Sequence, residues 1–277
     1  MGVALSLDGF TPLQVAAIRI DVAAIIIVIY AIATGRGMPG DGSGPRIWLH
    51  VLGFAFFSNV LPFSLLSWGM QHVPSGFAGV TMAVVPLLVL PLAHFLVPGE
   101  RMSWIKSIGF VAGFVGTLIL IGPDAFAASG GDWESIARLA CVCASASYAL
   151  GSITTRLAPP TGMISYAAAT LAVAGFMITP YAIYADGFPV FGADKATLSV
   201  LYLAVFPTAI ATLMMVQIIR TAGPSFLSLV NYQVPLWSIA FGVGLLSESL
   251  PDSLFIALVL ILGGLAVSQF GSKLLNR

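Results

Sequence analysis

Long apolar stretches, separated by short polar or Gly/Pro-containing connectors, dominate the chain from residue 13 to residue 271. They do not alternate apolar and polar positions as the strands of a membrane barrel do. A helix needs about 20 apolar residues to cross the hydrocarbon core of a bilayer. The pattern therefore predicts nine spanning helices, at about residues 13–33, 47–69, 75–97, 103–122, 136–156, 162–184, 197–219, 226–247 and 252–271.

Composition agrees with a chain whose solvent is largely lipid. Only 8% of the 277 residues are charged and 58% are hydrophobic, whereas a soluble domain carries about 25% charged residues. This excludes a soluble enzyme, a secreted disulfide scaffold and a disordered chain. The formal net charge is zero, so the basic surface that binds nucleic acid is missing. We expect membrane lipid and a small-molecule substrate as partners.

Basic residues are unevenly distributed between the two ends of the predicted spans. If the loop at 34–46 is cytoplasmic, one side receives Arg36, Arg46, Arg101, Lys106, Arg156, Arg220, Lys273 and Arg277. The other side receives Arg138 and Lys195. Because cytoplasmic loops are enriched in Lys and Arg, the C-terminus is predicted to be cytoplasmic.

The two parts of the chain share a pattern at an offset of about 150 residues. The corresponding features are Pro74 and Pro224, Pro86 and Pro235, Glu100 and Glu248, and the glycine-containing spans that follow each glutamate. The predicted topology puts Glu100 in the cytoplasm and Glu248 outside, so the copies are inverted. We assign the halves to residues 1–122 and 136–277.

The second half has five predicted spans and the first has four. Gly2–Leu7 is a candidate remnant of the missing span, through a late start or a shortened chain; the alternative is a true nine-span protein. Inverted repeats allow a site between two near-equivalent halves to open to one side of the membrane and then to the other.

Several motifs carry a family resemblance. They are Pro12 with Ala17-Ile18-Arg19, Ser67-Trp68-Gly69, Gly76-Phe77-Ala78-Gly79-Val80, Gly99-Glu100-Arg101, the Gly109, Gly113 and Gly116 helix, and Ala144–Gly151. In this order and spacing the chain resembles the EamA branch of the drug/metabolite transporter superfamily. The resemblance implies ten spans in two inverted five-span halves, with both ends cytoplasmic, and export of amino acids or small organic solutes. The bacterial aromatic amino-acid exporters are the branch it resembles most.

Prolines inside spans predict where the substrate binds. Pro86 frees the carbonyl of Met82, and Pro235 frees that of Asn231, because proline has no N–H to donate to the fourth residue before it. Helix breaks at matching positions in two repeats indicate a site near the membrane midplane. The alternative is a kink that only serves packing.

Polar and aromatic residues inside spans are the other candidates for substrate contact. They are Asn59, Ser145, Tyr148, Asn231, Tyr232 and Trp237. Uncompensated polar groups in hydrocarbon are costly, so such side chains face a cavity or one another. An interhelical hydrogen bond is the simpler explanation for any one of them.

Arg19 and Asp21 are the charges predicted to lie deepest in a span, and intramembrane charge is functional by default. Their spacing of two residues does not favour an ion pair between them. Arg19 could bind a substrate carboxylate or extend to the interface. Asp21 could relay protons for coupling or neutralise a partner on the missing span.

The predicted function is secondary transport in a bacterial-type inner membrane, with export of small amphipathic solutes. Amino acids, aromatic ones among them, are the first candidate substrates. Efflux of cationic drugs or other metabolites is the alternative; a membrane enzyme or a scaffold is favoured less. There is no P-loop, paired histidines or Cys/His cluster with zinc spacing, so we expect no cofactor or metal. Gly109 and Gly113 predict close helix packing, within the chain or in a homo-oligomer.

Reporter fusions at the two repeated glutamates test the inverted topology. A periplasm-active enzyme fused after Glu248 and a cytoplasm-active fluorescent protein fused after Glu100 should both be active, and the exchanged fusions inactive. If one and the same reporter were active after Glu100 and after Glu248, both glutamates would lie in the same compartment. That result would contradict two inverted copies.

Overall fold

The computed structural model describes residues 2–40, 44–73, 75–126, 130–233 and 253–275. Over these ranges the protein is built of helices joined by short connectors, without strands. The helices are α1 Gly2–Leu7, α2 Pro12–Ala33, α3 Ile47–Gly69, α4 Ser75–Leu96, α5 Trp104–Ile121, α6 Glu134–Leu157, α7 Met163–Asp186, α8 Lys195–Ala222, α9 Pro224–Ser228 and α10 Leu254–Leu275.

The 7 helices α2 to α8 are long and apolar enough to cross a membrane. They confirm an all-helical membrane protein, and each overlaps one of the first seven predicted spans closely. Helix α10 lies at the ninth predicted span. The eighth, 226–247, begins as α9 and a 3-10 turn at Leu229–Tyr232, and the remainder lies outside the described residues. The count of nine spans therefore stays a prediction.

Helix starts follow from local capping. Thr11 and Gln14 form a reciprocal capping box in front of α2, with Pro12 at its first position. At the start of α8, the backbone N–H of Thr197 donates to the Asp194 carboxylate at 2.8 Å. That bond stabilises the ionised form and lowers the pKa of Asp194. These caps supply partners to N–H groups that a helix leaves open at its first turn.

Packing between helices has the same pattern in both halves. Helix α2 packs along α7, and α5 packs along α10. Helix α1 lies against α8, while α6 lies against α3. If α1 is the end of a first span, these last two pairs are equivalent, because each joins the first helix of one half to the third helix of the other.

The glycine-rich face of α5 is covered by α10 of the same chain. A Cβ atom added to Gly109 would lie 2.5 Å from the carbonyl oxygen of Gly264, and one added to Gly264 would lie 2.5 Å from the carbonyl oxygen of Gly109. Close approach of two backbones is the expected use of small residues in membrane helices. The predicted close packing therefore occurs within the chain, and a homo-oligomer stays a prediction with no assigned surface.

Helix α4 continues from Ser75 to Leu96 with Pro86 and Pro91 inside it. Val85 and Val89, on either side of Pro86, belong to the apolar cluster that packs against α6. A role for Pro86 at a substrate site stays a prediction, since the missing backbone bond remains. Pro235 lies outside the described residues.

Substitutions of neighbouring glycines in α10 test the α5–α10 contact. Gly264→Ala should lower the free energy of unfolding by about 1–3 kcal/mol, as overpacking does, since its methyl group would meet backbone atoms of Gly109 and Gly113. Thermal unfolding of the purified protein in detergent measures the effect. Gly263→Ala is the matched control, because no atom lies within 4 Å of its added Cβ. Equal stability of the two variants would contradict the packing described.

Candidate functional site

Arg19 lies where four helices meet in the interior of the bundle. Its side chain comes from α2 and is 8% exposed. The guanidinium carbon lies 3.8 Å from the ring centroid of Phe63 on α3. Its Nε donates to the hydroxyl of Thr208 on α8 at 3.1 Å. Tyr148 on α6 lies beside Phe63, with 6.5 Å between the two ring centroids.

No carboxylate lies within 4 Å of Arg19 in the described part of the chain. The ion pair found there joins Arg138 to Glu134, at 2.7 Å and one helical turn apart. A buried charge in a membrane protein usually has a partner or marks a substrate pathway. Arg19 has an aromatic face and a neutral hydroxyl, which leaves its positive charge without a protein counter-ion among these residues.

Two irregular helix segments flank this region, one in each half. Helix α3 widens into a π-helix at Phe56–Val60, and α8 does so at Val205–Ile210. The first residues of these segments are 149 positions apart, which is the offset of the sequence repeat. π segments inside α-helices frequently occur at functional sites. The paired helix irregularities thus lie in α3 and α8, whereas the prolines predicted them in the spans 75–97 and 226–247.

Each π segment carries a polar side chain at the same register. Asn59 donates through its amide nitrogen to the carbonyl of Phe54 at 3.5 Å. Thr208 donates to the carbonyl of Leu203 at 2.7 Å. Both bonds reach back five residues and satisfy a carbonyl in a region without water. Asn59, a predicted substrate residue, is 1% exposed, and its amide donates to this backbone carbonyl.

Asp21 belongs to a different contact from Arg19. Its carboxylate accepts a hydrogen bond from Thr179 of α7 at 2.7 Å. It also lies against Gly175, where an added Cβ would come within 2.4 Å of the carboxylate oxygen. Arg19 and Asp21 therefore bind different helices, as their spacing indicates. A coupling role for Asp21 stays a prediction.

The predicted substrate residue Ser145 on α6 joins two helices through its hydroxyl. It is enclosed and donates to the carbonyl of Thr81 on α4 at 2.6 Å. Ser147 on the same helix donates to the carbonyl of Phe57 on α3 at 2.8 Å. Such bonds from small hydroxyls join membrane helices. Tyr148, the other predicted residue on α6, lies beside the Phe63 ring that covers Arg19.

Tyr232 lies apart from the Arg19 region, between α5 and α10. It is 0% exposed and donates its hydroxyl to the carbonyl of Phe110 at 2.8 Å. This contact makes it a packing residue of that helix pair. Asn231 and Met82 are half-buried, and Trp237 lies outside the described residues.

Sequence reasoning missed Phe63 and Thr208. A signal for both was present, because Pro62 and Pro207 lie within α3 and α8 at similar depth, as Pro86 and Pro235 lie within the predicted spans 75–97 and 226–247. Phe63 follows Pro62 directly and Thr208 follows Pro207 directly.

Two surface pockets lie away from the Arg19 region. One is a shallow apolar pocket of about 250 Å³ between Met38, Trp48 and Phe176, and the other surrounds the loop at 94–101.

Comparison with known proteins assigns this arrangement to a family. The model of the "EamA-like transporter family" matches the chain twice, over residues 2–122 and 133–269. The chain belongs to the EamA-like transporter family. The two matches agree with the duplicated pattern read from the sequence and with the equivalent helix pairs. The EamA-like protein is a transporter rather than an enzyme.

Relatives cover most of its length. The "Uncharacterized inner membrane transporter YedA" of Escherichia coli K12 is 26% identical over 278 residues, which is 98% of this chain and 85% of YedA. "Protein PecM" of Dickeya dadantii is 27% identical over 93% of this chain and 83% of its own length. These similarities support a multi-pass location in the inner membrane.

A shorter match and a solved structure complete the comparison. The "Probable terminal-alkyne amino-acid exporter" of Streptantibioticus cattleyicolor is 31% identical over 118 residues, 42% of this chain and 37% of that protein. A crystal structure of a protein with 20% identity covers 99% of this chain and 93% of its own, with a TM-score of 0.80. It shows the same fold.

Proposed function

We propose that this EamA-like protein exports small amphipathic solutes that carry a carboxylate, with amino acids, and aromatic ones among them, as the first candidates. The observation that carries the proposal is Arg19, a buried cation with no carboxylate partner in the described ranges. A guanidinium matches a carboxylate through two parallel hydrogen bonds. A solute that supplies this carboxylate would neutralise the charge.

Aromatic side chains beside Arg19 suit the apolar part of such a solute. Phe63 and Tyr148 lie next to each other with their rings tilted by 58°. Tilted and offset arrangements are those that aromatic rings prefer. A flat ring of a solute would find a similar contact on Tyr148, while its carboxylate binds Arg19.

Both halves of the chain contribute to this site. Arg19 and Phe63 belong to residues 1–122, whereas Tyr148 and Thr208 belong to residues 136–277. A relative movement of the halves would therefore change the site, which is what alternating access requires. The amino-acid exporter among the relatives supports the substrate class, because a protein with that name is similar to 42% of this chain.

Arg19→Gln tests the proposal in proteoliposomes. Uptake of L-phenylalanine should fall at least about tenfold, since a charge-assisted bond to the carboxylate is lost. Arg36→Gln is the matched control, because Arg36 is an exposed residue after the end of α2. Carboxylate transport by Arg19→Gln at the wild-type rate would overturn the proposal. The proposal would also be overturned if the wild-type protein itself took up no phenylalanine.

Asp21→Asn distinguishes carboxylate export from efflux of cationic drugs. A site for cations needs an acidic side chain, and Asp21 is the acid predicted to lie deepest in a span, whereas Arg19 repels cations. Cells that produce wild-type or Asp21→Asn protein would be challenged with inhibitory amino-acid analogues and with cationic dyes. We expect the wild-type protein to protect against the analogues, and neither protein to protect against the dyes. Dye resistance that Asp21→Asn abolishes would favour the cation alternative.

A further inference from the structure

Pro207 determines what Thr208 can offer to Arg19. Proline has no N–H, so the carbonyl of Leu203, four residues earlier, lacks its helical donor. The hydroxyl of Thr208 donates to this carbonyl at 2.7 Å. A hydroxyl has one hydrogen to donate, so the Thr208 oxygen is left as an acceptor. It accepts from Nε of Arg19 at 3.1 Å.

These contacts restrict how the guanidinium of Arg19 can bind a ligand. A guanidinium presents five N–H donors in one plane and can grip a carboxylate through Nε and one Nη, or through both Nη atoms. Thr208 occupies the Nε donor, and the Phe63 ring covers one face of the plane at 3.8 Å. In the described part of the chain, no protein acceptor bonds to the Nη atoms. The end-on pair remains for a ligand.

The other half has a similar side-chain bond without the cation. Asn59 bonds back to Phe54 as Thr208 bonds to Leu203, although no proline stands four residues after Phe54, and Pro62 follows the π segment of α3. At an offset of 149 the residue that corresponds to Arg19 is Ala168, which is fully buried in an apolar cluster. A contact between a π segment and an arginine therefore exists in one half. Both halves share the helix irregularity, so the irregularity alone does not account for the contact with arginine, and a binding role does.

We infer that Thr208 is a positioning residue, which fixes Arg19 for end-on, two-bond recognition of a substrate carboxylate. This assignment rests on the proposed function and adds its geometry. The resulting selectivity is for a planar carboxylate over the corresponding amide. An amide keeps the size and ring of the substrate, but it is uncharged and has an NH2 donor in place of the second oxygen. It therefore cannot form two parallel bonds with the Nη donors, and its NH2 group would face one of them.

The experiment compares L-phenylalanine with L-phenylalaninamide as competitors of radiolabelled phenylalanine uptake, with the full chain in proteoliposomes. Wild-type protein should prefer the carboxylate. Thr208→Val keeps the shape and removes the hydroxyl, and should reduce this preference about tenfold, chiefly by raising the half-saturating phenylalanine concentration. Thr208→Ser keeps the hydroxyl and should restore the preference.

Thr117→Val is the matched control. Thr117 is also fully buried and donates to a carbonyl of its own helix, Gly113, at 3.0 Å, but it lies on α5, which does not contribute to the Arg19 site. It should keep the wild-type preference. A Thr208→Val protein that prefers the carboxylate as strongly as wild type would overturn the assignment and leave the proposed function in place. Wild-type protein that does not distinguish the probes would overturn both.

Discussion

A carbonyl inside the hydrocarbon core must receive a hydrogen bond from the protein, and this constraint organises the interior of the bundle. At Leu203, whose α-helical donor is missing, the Thr208 side chain supplies the hydrogen bond, and Ser145 and Ser147 donate to carbonyls of neighbouring helices. The same bonds that satisfy the backbone also fix which helices touch, so satisfying the backbone and positioning the site are one requirement.

The apolar pattern was sufficient to predict most of the fold, because membrane thickness sets helix length and charge is confined to the ends. Spans α2 to α8 appear where the pattern predicts them. The glycine correspondence also led to a correct expectation, since Gly109 approaches the backbone of Gly264. These features depend on local composition and on spacing, which a single sequence displays directly.

The site was harder to predict, because contact across helices depends on rotation about each helix axis. Arg19 and Tyr148 could be named because such side chains are costly in lipid, and in the structure both lie against Phe63. Tyr232 carries the same kind of side chain but faces α5, where it bonds to Phe110. Phe63 has no polar atom to mark it in an apolar span. Its role appears only when α3 is placed beside α2, with the ring over the guanidinium.

Near-symmetry of the halves and asymmetry of their charge serve different purposes. In the proposed alternating access, equivalent helices and equivalent π segments would allow two arrangements of similar free energy, which a carrier needs in order to open on either side. A ligand site, by contrast, needs chemistry that differs from its surroundings. Arg19 faces Thr208, whereas the corresponding position in the second half, Ala168, is apolar. Under the proposed function, one charge in a duplicated frame would give the solute a single orientation in the site while the frame keeps its two states.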